Sequence, residues 1–520
     1  MPRTRILAPL AVLTAALLAP IAATAQTFHS DDPVIRQMWQ EGMDRSQVET
    51  LAQVLMDSIG GRLAGTPALD AAAQWLLGTY AEWGIPARKE QVGTWIGWHH
   101  GLTHVDMIAP RRQTLDARIL GFSPGTDGPV EGDVVVVPAL ASEAEMNAWL
   151  PSVAGKIVLL SAPETMCRAH QELEQNARPE TVARIDSIRS ATERDYRARL
   201  ALLGGRRAFS RFDEAGAAGV VTSVWSGGWG VNKVFTSPTR RAVAVDVSCE
   251  HYGMLFRMAE RGQGPRLRIE AEAEVLPEVP QFNVIAEMKG TELPNEYVVL
   301  SAHYDSFHSA EGATDNGTGT IMMLEAMRIL HEAYPNPRRT ILVGHWVNEE
   351  MGLIGSAAFR EDHPEVAEGL QVLFNQDNGS WRVERIEGQG FLHAGEHIAR
   401  WISLVPSEIS DQITLEFPGA QNNRGSDHSS FVCAGLPAFR LQSPYDEYRQ
   451  YTWHTNLDTY DKIVFDDLKN NATLAAMLAY GASEDPDRVP RDKALLPPDP
   501  RTGQPRAWGN CYPARRSPGN

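Results

Sequence analysis

Five short segments of this 520-residue chain hold imidazoles and carboxylates at the ends of apolar runs, or in loops beside them. They are His303-Tyr304-Asp305, the loop Glu311–Gly317 with Asp315, Asn348-Glu349-Glu350, Gln376-Asp377-Asn378, and Tyr451-Thr452-Trp453-His454. Two histidines and several carboxylates drawn from separate loops suit a site for two divalent metals. Imidazole and carboxylate fit zinc, and one carboxylate can bridge two ions about 3.5–4 Å apart. Asp305 lies two residues past His303 on an extended segment, where it can turn back to orient that imidazole. Of two adjacent glutamates, one can ligate while its neighbour takes a proton from the attacking water.

The elements that must position these groups read as strands alternating with helices. Asn283–Met288, Tyr297–Ser301, Thr340–Val347, Val372–Asn375 and Ala438–Leu441 are apolar and strand-like, while Thr320–Tyr334 and the segment from Gly355 to Glu361 are helical. This alternation predicts an α/β fold with a mixed, mostly parallel sheet covered by helices on both faces. In such sheets ligands bind at the carboxyl ends of the strands, where the polar segments fall. Upstream, Val34–Trp83 is helical in pattern, with a helix over Ala71–Tyr80. From Leu115 to Val279 the texture changes to short strands with a charged helix over Pro179–Leu203, which predicts a smaller, β-rich inserted domain. Pro277 and Pro280 read as its boundary. The expected organisation is a signal peptide over 1–25, the first part of the catalytic domain over 26–114, an insert over 115–279, the rest of the catalytic domain over 280–484, and a proline-rich tail over 485–520.

Composition narrows the function. Hydrophobic residues are 43% and charged residues 22%, as in ordinary globular proteins. A formal charge of −17 argues against a nucleic-acid partner, which needs a basic face. Arg3 and Arg5, the apolar run Ile6–Ala23 and the small residues Ala23-Thr24-Ala25 read as an export signal cleaved near Ala25, with an uncleaved membrane helix as the weaker reading. The expected product is periplasmic or secreted, with no stable membrane insertion. Cys167, Cys249, Cys433 and Cys511 form no C-x-x-C pair, and an oxidising compartment permits two disulfides in three connectivities. A tail with few apolar residues gains from being tied down, so Cys433–Cys511 is expected. Cys167–Cys249 is the companion pair, although the charged helix lies between them. Buried free thiols are the alternative.

The quoted segments occur in the order and rough spacing of a known family. Over about Asn283 to Phe465 the chain resembles the co-catalytic zinc exopeptidases that include bacterial leucyl aminopeptidases, vacuolar aminopeptidase Y and plasma glutamate carboxypeptidase. Asp57-x-x-Gly60-x-Arg62-Leu63-x-Gly65-Thr66 and Ser426-Asp427-His428-Ser429-Ser430-Phe431 resemble further segments of that family. The resemblance implies two zinc ions per chain: Asp315 bridging them, His303 and Glu350 completing one, Asp377 and His454 completing the other. It implies Glu349 as general base and Asp305 as the group orienting His303. Hydrolysis would proceed through a hydroxide bridging the ions. Gly155–Leu160 and Ala215–Val221 resemble a protease-associated domain, a common insertion in this family.

The implied activity is release of a terminal residue from peptides or dipeptides. Aminopeptidase is the first choice and dipeptidase or carboxypeptidase the second. A glutaminyl-cyclase-like acyltransferase with one zinc and a non-catalytic binding protein with none remain as readings from other classes. His308, between two expected ligands, and His428 are candidate substrate contacts, whereas His345 inside a strand reads as a core residue. His99, His100 and His104 lack accompanying carboxylates and do not read as a metal site. The sequence leaves the oligomeric state open.

Overall fold

The computed structural model describes residues 30–421, 425–496, 498, 500–504, 508 and 511–519. The expected signal segment lies outside these residues. Among the described residues, a hydrogen-bonded sheet of fourteen strands runs through the molecule. At the end that carries His303, Leu293–His303 lies between Arg339–Trp346 and Leu370–Asn375, parallel to both. Ala438–Gln442 extends this parallel set beyond Leu370–Asn375. Every residue of Arg339–Trp346 and Leu370–Asn375 is buried, the continuous burial of parallel strands covered on two faces.

The period-two alternation of a strand divides the core. Val298, Leu300, Ile341 and Val343 face the helices Thr318–Ala333 and Phe465–Glu484. Val299 and Leu342 face the opposite way, toward Trp346, Phe359 and Val366. The helices Ile354–Asp362 and Pro364–Gly369 carry the last two.

Two 23-residue strands, Ala87–Ala109 and Arg266–Met288, pair antiparallel and carry the sheet away from this parallel set. Arg266–Met288 pairs at one end with Arg339–Trp346 and at the other with Val130–Val136. From there the sheet continues in parallel through Ile157–Leu159, Gly219–Thr222 and Val243–Val247. The break expected at Pro277 and Pro280 therefore falls inside a continuous strand. A β-bulge explains how the prolines are tolerated. Leu276 pairs with Gly97 and Glu278 with Ile96, leaving Pro277 as the extra residue, which needs no ladder donor. Pro280 pairs with Thr94, whose N–H donates instead to the Arg516 carbonyl at 2.9 Å.

The insert nevertheless has a core of its own, with Val158, Val220, Val245, Tyr196, Tyr252 and Phe256 in one cluster. It holds more helix than its short-strand texture suggests. Glu143–Trp149, Pro179–Leu202 and Cys249–Glu260 accompany its strands. Both expected disulfides are present, Cys167–Cys249 and Cys433–Cys511. The charged helix does not keep Cys167 from Cys249, because Cys249 opens its own helix and Cys167 lies just before His170–Asn176. After Glu484 the described residues form no helix or strand. The tail is held by the Phe391–Lys493 bridge, by Trp508 Nε1 donating to the Ala494 carbonyl, by its disulfide, and by Arg516 against Asp362 and Glu361.

Candidate metal centre

His303 ends the central strand, Glu349 and Glu350 follow Arg339–Trp346, and Asp377 follows Leu370–Asn375. Parallel pairing with Trp346 opposite His303 and Asn375 opposite Ser301 aligns these strand ends. Asp315 sits in the turn Ala313–Gly317 that leads into Thr318–Ala333. His454 follows the short helical turn Tyr448–Thr452, at a positive φ of 59°. The structure brings all six groups together. Among the described residues, two sets of candidate metal-binding side chains stand out: His303, Glu349 and Asp377, and Asp315, Glu350 and His454.

The neighbours of each imidazole differ from the expected partition of ligands. His303 Nε2 lies 3.1 Å from Asp377 Oδ1, and His454 Nε2 lies 2.9 Å from Glu350 Oε2. His303 is thus the neighbour of Asp377, and His454 the neighbour of Glu350. Asp315 stands between them, Oδ1 at 3.6 Å from His303 and Oδ2 at 3.2 Å from His454. Each oxygen of Asp315 faces a different imidazole, as a bridging carboxylate requires. Strand neighbours decide this partition, and linear order along the chain does not encode which neighbours meet.

The electrostatics fit cations. Asp305, Asp315, Asp377 and Asp427 are buried, and Glu349 and Glu350 keep only 13% and 4% of their side-chain surface exposed. Burial, with repulsion from Asp377, Asp427 and Glu350, pushes Glu349 well above the usual carboxylate range. Burial and the Asp315 charge push Glu350 up to about 7. Burial works against the His303 cation, but Asp377 and Glu349 hold its imidazole well above the ordinary range. Such crowding of carboxylates around two imidazoles calls for added positive charge. Glu350 Oε1 is buried without a hydrogen-bond donor, as an acceptor awaiting a cation would be. The oxygen and imidazole donors suit zinc.

Asp305 does more than the sequence suggests. Its carboxylate lies 3.5 Å from His303 Nδ1, and it also accepts the backbone N–H groups of Glu349 and Glu350 at 3.1 and 3.3 Å. Two further residues support the site. Asp458 accepts from the N–H groups of Thr314 and Asp315 at 2.8 and 3.1 Å. Arg62 is fully buried and donates to the carbonyls of Gly60, Tyr304, Glu311 and Gly312, lacing together the loop between His303 and Asp315. Arg62 stands in a motif visible in the sequence. Asp458, four residues after His454, carries no local signal of its task.

The other histidines separate clearly. His345 Nε2 meets the Tyr80 hydroxyl at 2.8 Å inside the core, as expected. His308 meets the Ile119 carbonyl at 2.8 Å and packs edge-on to Trp98, so its ring serves the seam with the insert and lines neither hollow described below. His428 is buried beside Asp427, and it too lines neither hollow. His100 stacks on Trp98.

A hollow of about 320 Å³ opens on the cluster, lined by Asp315, Glu349, Asp377, Tyr448, Arg449 and Trp453 among others. A second, of about 570 Å³, opens on Glu350 and His454 from the side of the insert. The insert also grips the His454 loop directly. Val234 N–H donates to the His454 carbonyl, and Asn232 N–H to the Asn456 side chain at 2.8 Å.

Residues 283–479 match the model of Peptidase family M28. The chain is 26% identical to carboxypeptidase Q of Rattus norvegicus over 84% of its own length and 85% of that protein's. It is 31% identical to leucine aminopeptidase 1 of Coccidioides posadasii, over 38% of this chain and 55% of that one. A Peptidase M28 precursor from Shewanella amazonensis shares the fold with a TM-score of 0.65 and 22% identity, covering 90% of this chain and 98% of that one. Over residues 283–479 the chain is thus similar to Peptidase family M28, in agreement with the resemblance to the co-catalytic zinc exopeptidases, and the protein is a metallopeptidase of the hydrolase class.

Proposed function

We propose that this protein is a two-zinc exopeptidase that removes a terminal residue from short peptides and dipeptides. His303 and Asp377 would hold one ion, Glu350 and His454 the other, and Asp315 both. The observation that carries the reading is Asp315, which turns one oxygen to each imidazole within a buried excess of carboxylates. When bound, the ions polarise the scissile carbonyl and lower the pKa of the attacking water. Glu349 takes that water's proton and passes it to the departing amine. Asp305 fixes the imidazole of His303 and, through two backbone N–H groups, the turn that carries Glu349. The insert shapes access through its grip on the His454 loop. The two disulfides suit an exported protein.

The sequence places aminopeptidase first. One observation favours the carboxypeptidase or dipeptidase alternative: the match to carboxypeptidase Q spans 84% of the chain, that to leucine aminopeptidase 1 only 38%. A panel of free dipeptides, N-acetylated peptides and aminoacyl-nitroanilides, with zinc counted per chain, tests both levels. Two zincs with cleavage of dipeptides and N-acetylated peptides support this reading. Cleavage of nitroanilides and free dipeptides with N-acetylated peptides left intact returns it to an aminopeptidase. A protein with two zincs that cleaves none of them overturns it.

A further inference from the structure

We infer that the larger hollow beside Glu350 and His454 is the subsite for a large apolar residue with a free carboxylate, and that Arg515 of the C-terminal tail reads that carboxylate. The inference rests on the exopeptidase reading and adds the chemistry of the residue released. Three distant stretches of chain wall the hollow: Trp95 from the long strand Ala87–Ala109, Phe235 and Arg240 from the insert, and Arg515 from the tail. Its approach to the metal cluster is aromatic, with the rings of Phe307 and Phe235 centred 4.4 and 5.5 Å from that of His454. A volume of about 570 Å³ exceeds what a small side chain fills.

The hollow carries more arginines than carboxylates. In a chain of net charge −17 it presents two arginines, and Glu350 is its one carboxylate among the described residues. Among those residues neither Arg240 nor Arg515 makes an ion pair with an acidic side chain. The Arg515 guanidinium lies 4.9 Å from the Trp95 ring centroid and donates to the Pro518 carbonyl, which holds it at the rim with donors to spare. An apolar wall ending in a guanidinium that makes no ion pair with an acidic side chain among the described residues is complementary to an apolar amino acid with a free carboxylate. The smaller hollow has a cation too, Arg449, whose guanidinium likewise lies over a tryptophan, 4.2 Å from the centre of the Trp453 ring. Arg449 is the rival carboxylate reader.

Calorimetric titration of the zinc-loaded full chain with L-phenylalanine, L-phenylalaninamide and L-alanine tests the assignment without turnover. L-phenylalanine is expected to bind at least tenfold tighter than either of the others. Arg515→Ala should shrink the preference for acid over amide by about 10–100-fold, the range for a hydrogen bond to a charged group. Arg515→Lys should restore part of it. Phe235→Ala should shrink the preference for L-phenylalanine over L-alanine. Equal binding of acid and amide by the wild type overturns the subsite, as does a preference untouched by Arg515→Ala or lost in Arg449→Ala instead. Arg515-dependent binding without hydrolysis of any dipeptide would defeat the activity reading alone. Dipeptide hydrolysis without this binding preference would defeat the subsite alone.

Discussion

Glu349 and Asp458 illustrate two ways in which a single side chain can matter to one centre. Glu349 stands beside His303, its carboxylate 4.0 Å from Nε2, while Glu350 pairs with His454. Glu349→Gln preserves size and shape but cannot take up a proton. Metal content and fold should be retained while kcat falls by about 10²–10⁴, the usual contribution of a general base. A variant with near-normal kcat and two zincs would remove Glu349 from that role. Asp458 touches no expected ligand side chain, yet it holds the backbone N–H groups of Thr314 and Asp315. Asp458→Asn turns an amide donor toward one of those N–H groups. Zinc affinity is expected to weaken about 10–100-fold, as for outer partners of metal ligands. Chelator competition measures this, and unchanged affinity would reduce Asp458 to a loop residue.

At the scale of elements, the loop from the insert that meets His454 is anchored on Asp246 at the end of the strand Val243–Val247. Its carboxylate accepts from Asn232 Nδ2, Thr222 Oγ1 and Val224 N–H at 2.6, 2.8 and 3.1 Å. Burial outweighs these donors and pushes Asp246 from 3.8 up to about 7. Between those values the folded state binds a proton that the unfolded chain has already lost. This contribution to stability is therefore present at low pH, falls as pH rises through that window, and is flat above about 7. Asp246→Asn cannot titrate. Thermal unfolding of the two proteins side by side should give a wild-type-minus-variant Tm difference that declines from pH 5 to pH 7 and then levels. A difference independent of pH would show that Asp246 is ionised throughout.

At the scale of the whole molecule, one sheet joins two cores, and the metal centre sits where loops from both meet. Folding gathers Asp305, Asp315, Glu349, Glu350, Asp377 and Asp427 into one cluster with two imidazoles, so bound cations should stabilise the native state far more than the unfolded one. At free zinc 100 times Kd the linkage amounts to about 2.7 kcal/mol. Chelation should lower Tm, re-addition of zinc should restore it, and Glu349→Gln should behave as the wild type does. A Tm indifferent to chelation would mean that the cluster holds no metal in the native protein.

Much of this protein was legible in one dimension because the relevant signals are local. Apolar strands alternating with helices announce an α/β sheet, and ligand-type residues at the ends of those strands announce a site. His303, Asp315, Glu349, Glu350, Asp377 and His454 were all legible in this way, since each stands in a short segment with a distinctive pattern. The pairing of His303 with Asp377 and of His454 with Glu350 was not legible, because it depends on which strand ends lie side by side. The same reason hides Asp458, whose partners are more than 140 residues away, and the continuity of the long strand through Pro277, which rests on a bulge shared with another strand. The tail read as an extended segment needing an anchor, and its disulfide follows from that. That its arginines come back to the long strand and to the rim of a hollow beside His454 was decided by tertiary structure alone, because the hollow exists only where strand, insert and tail converge.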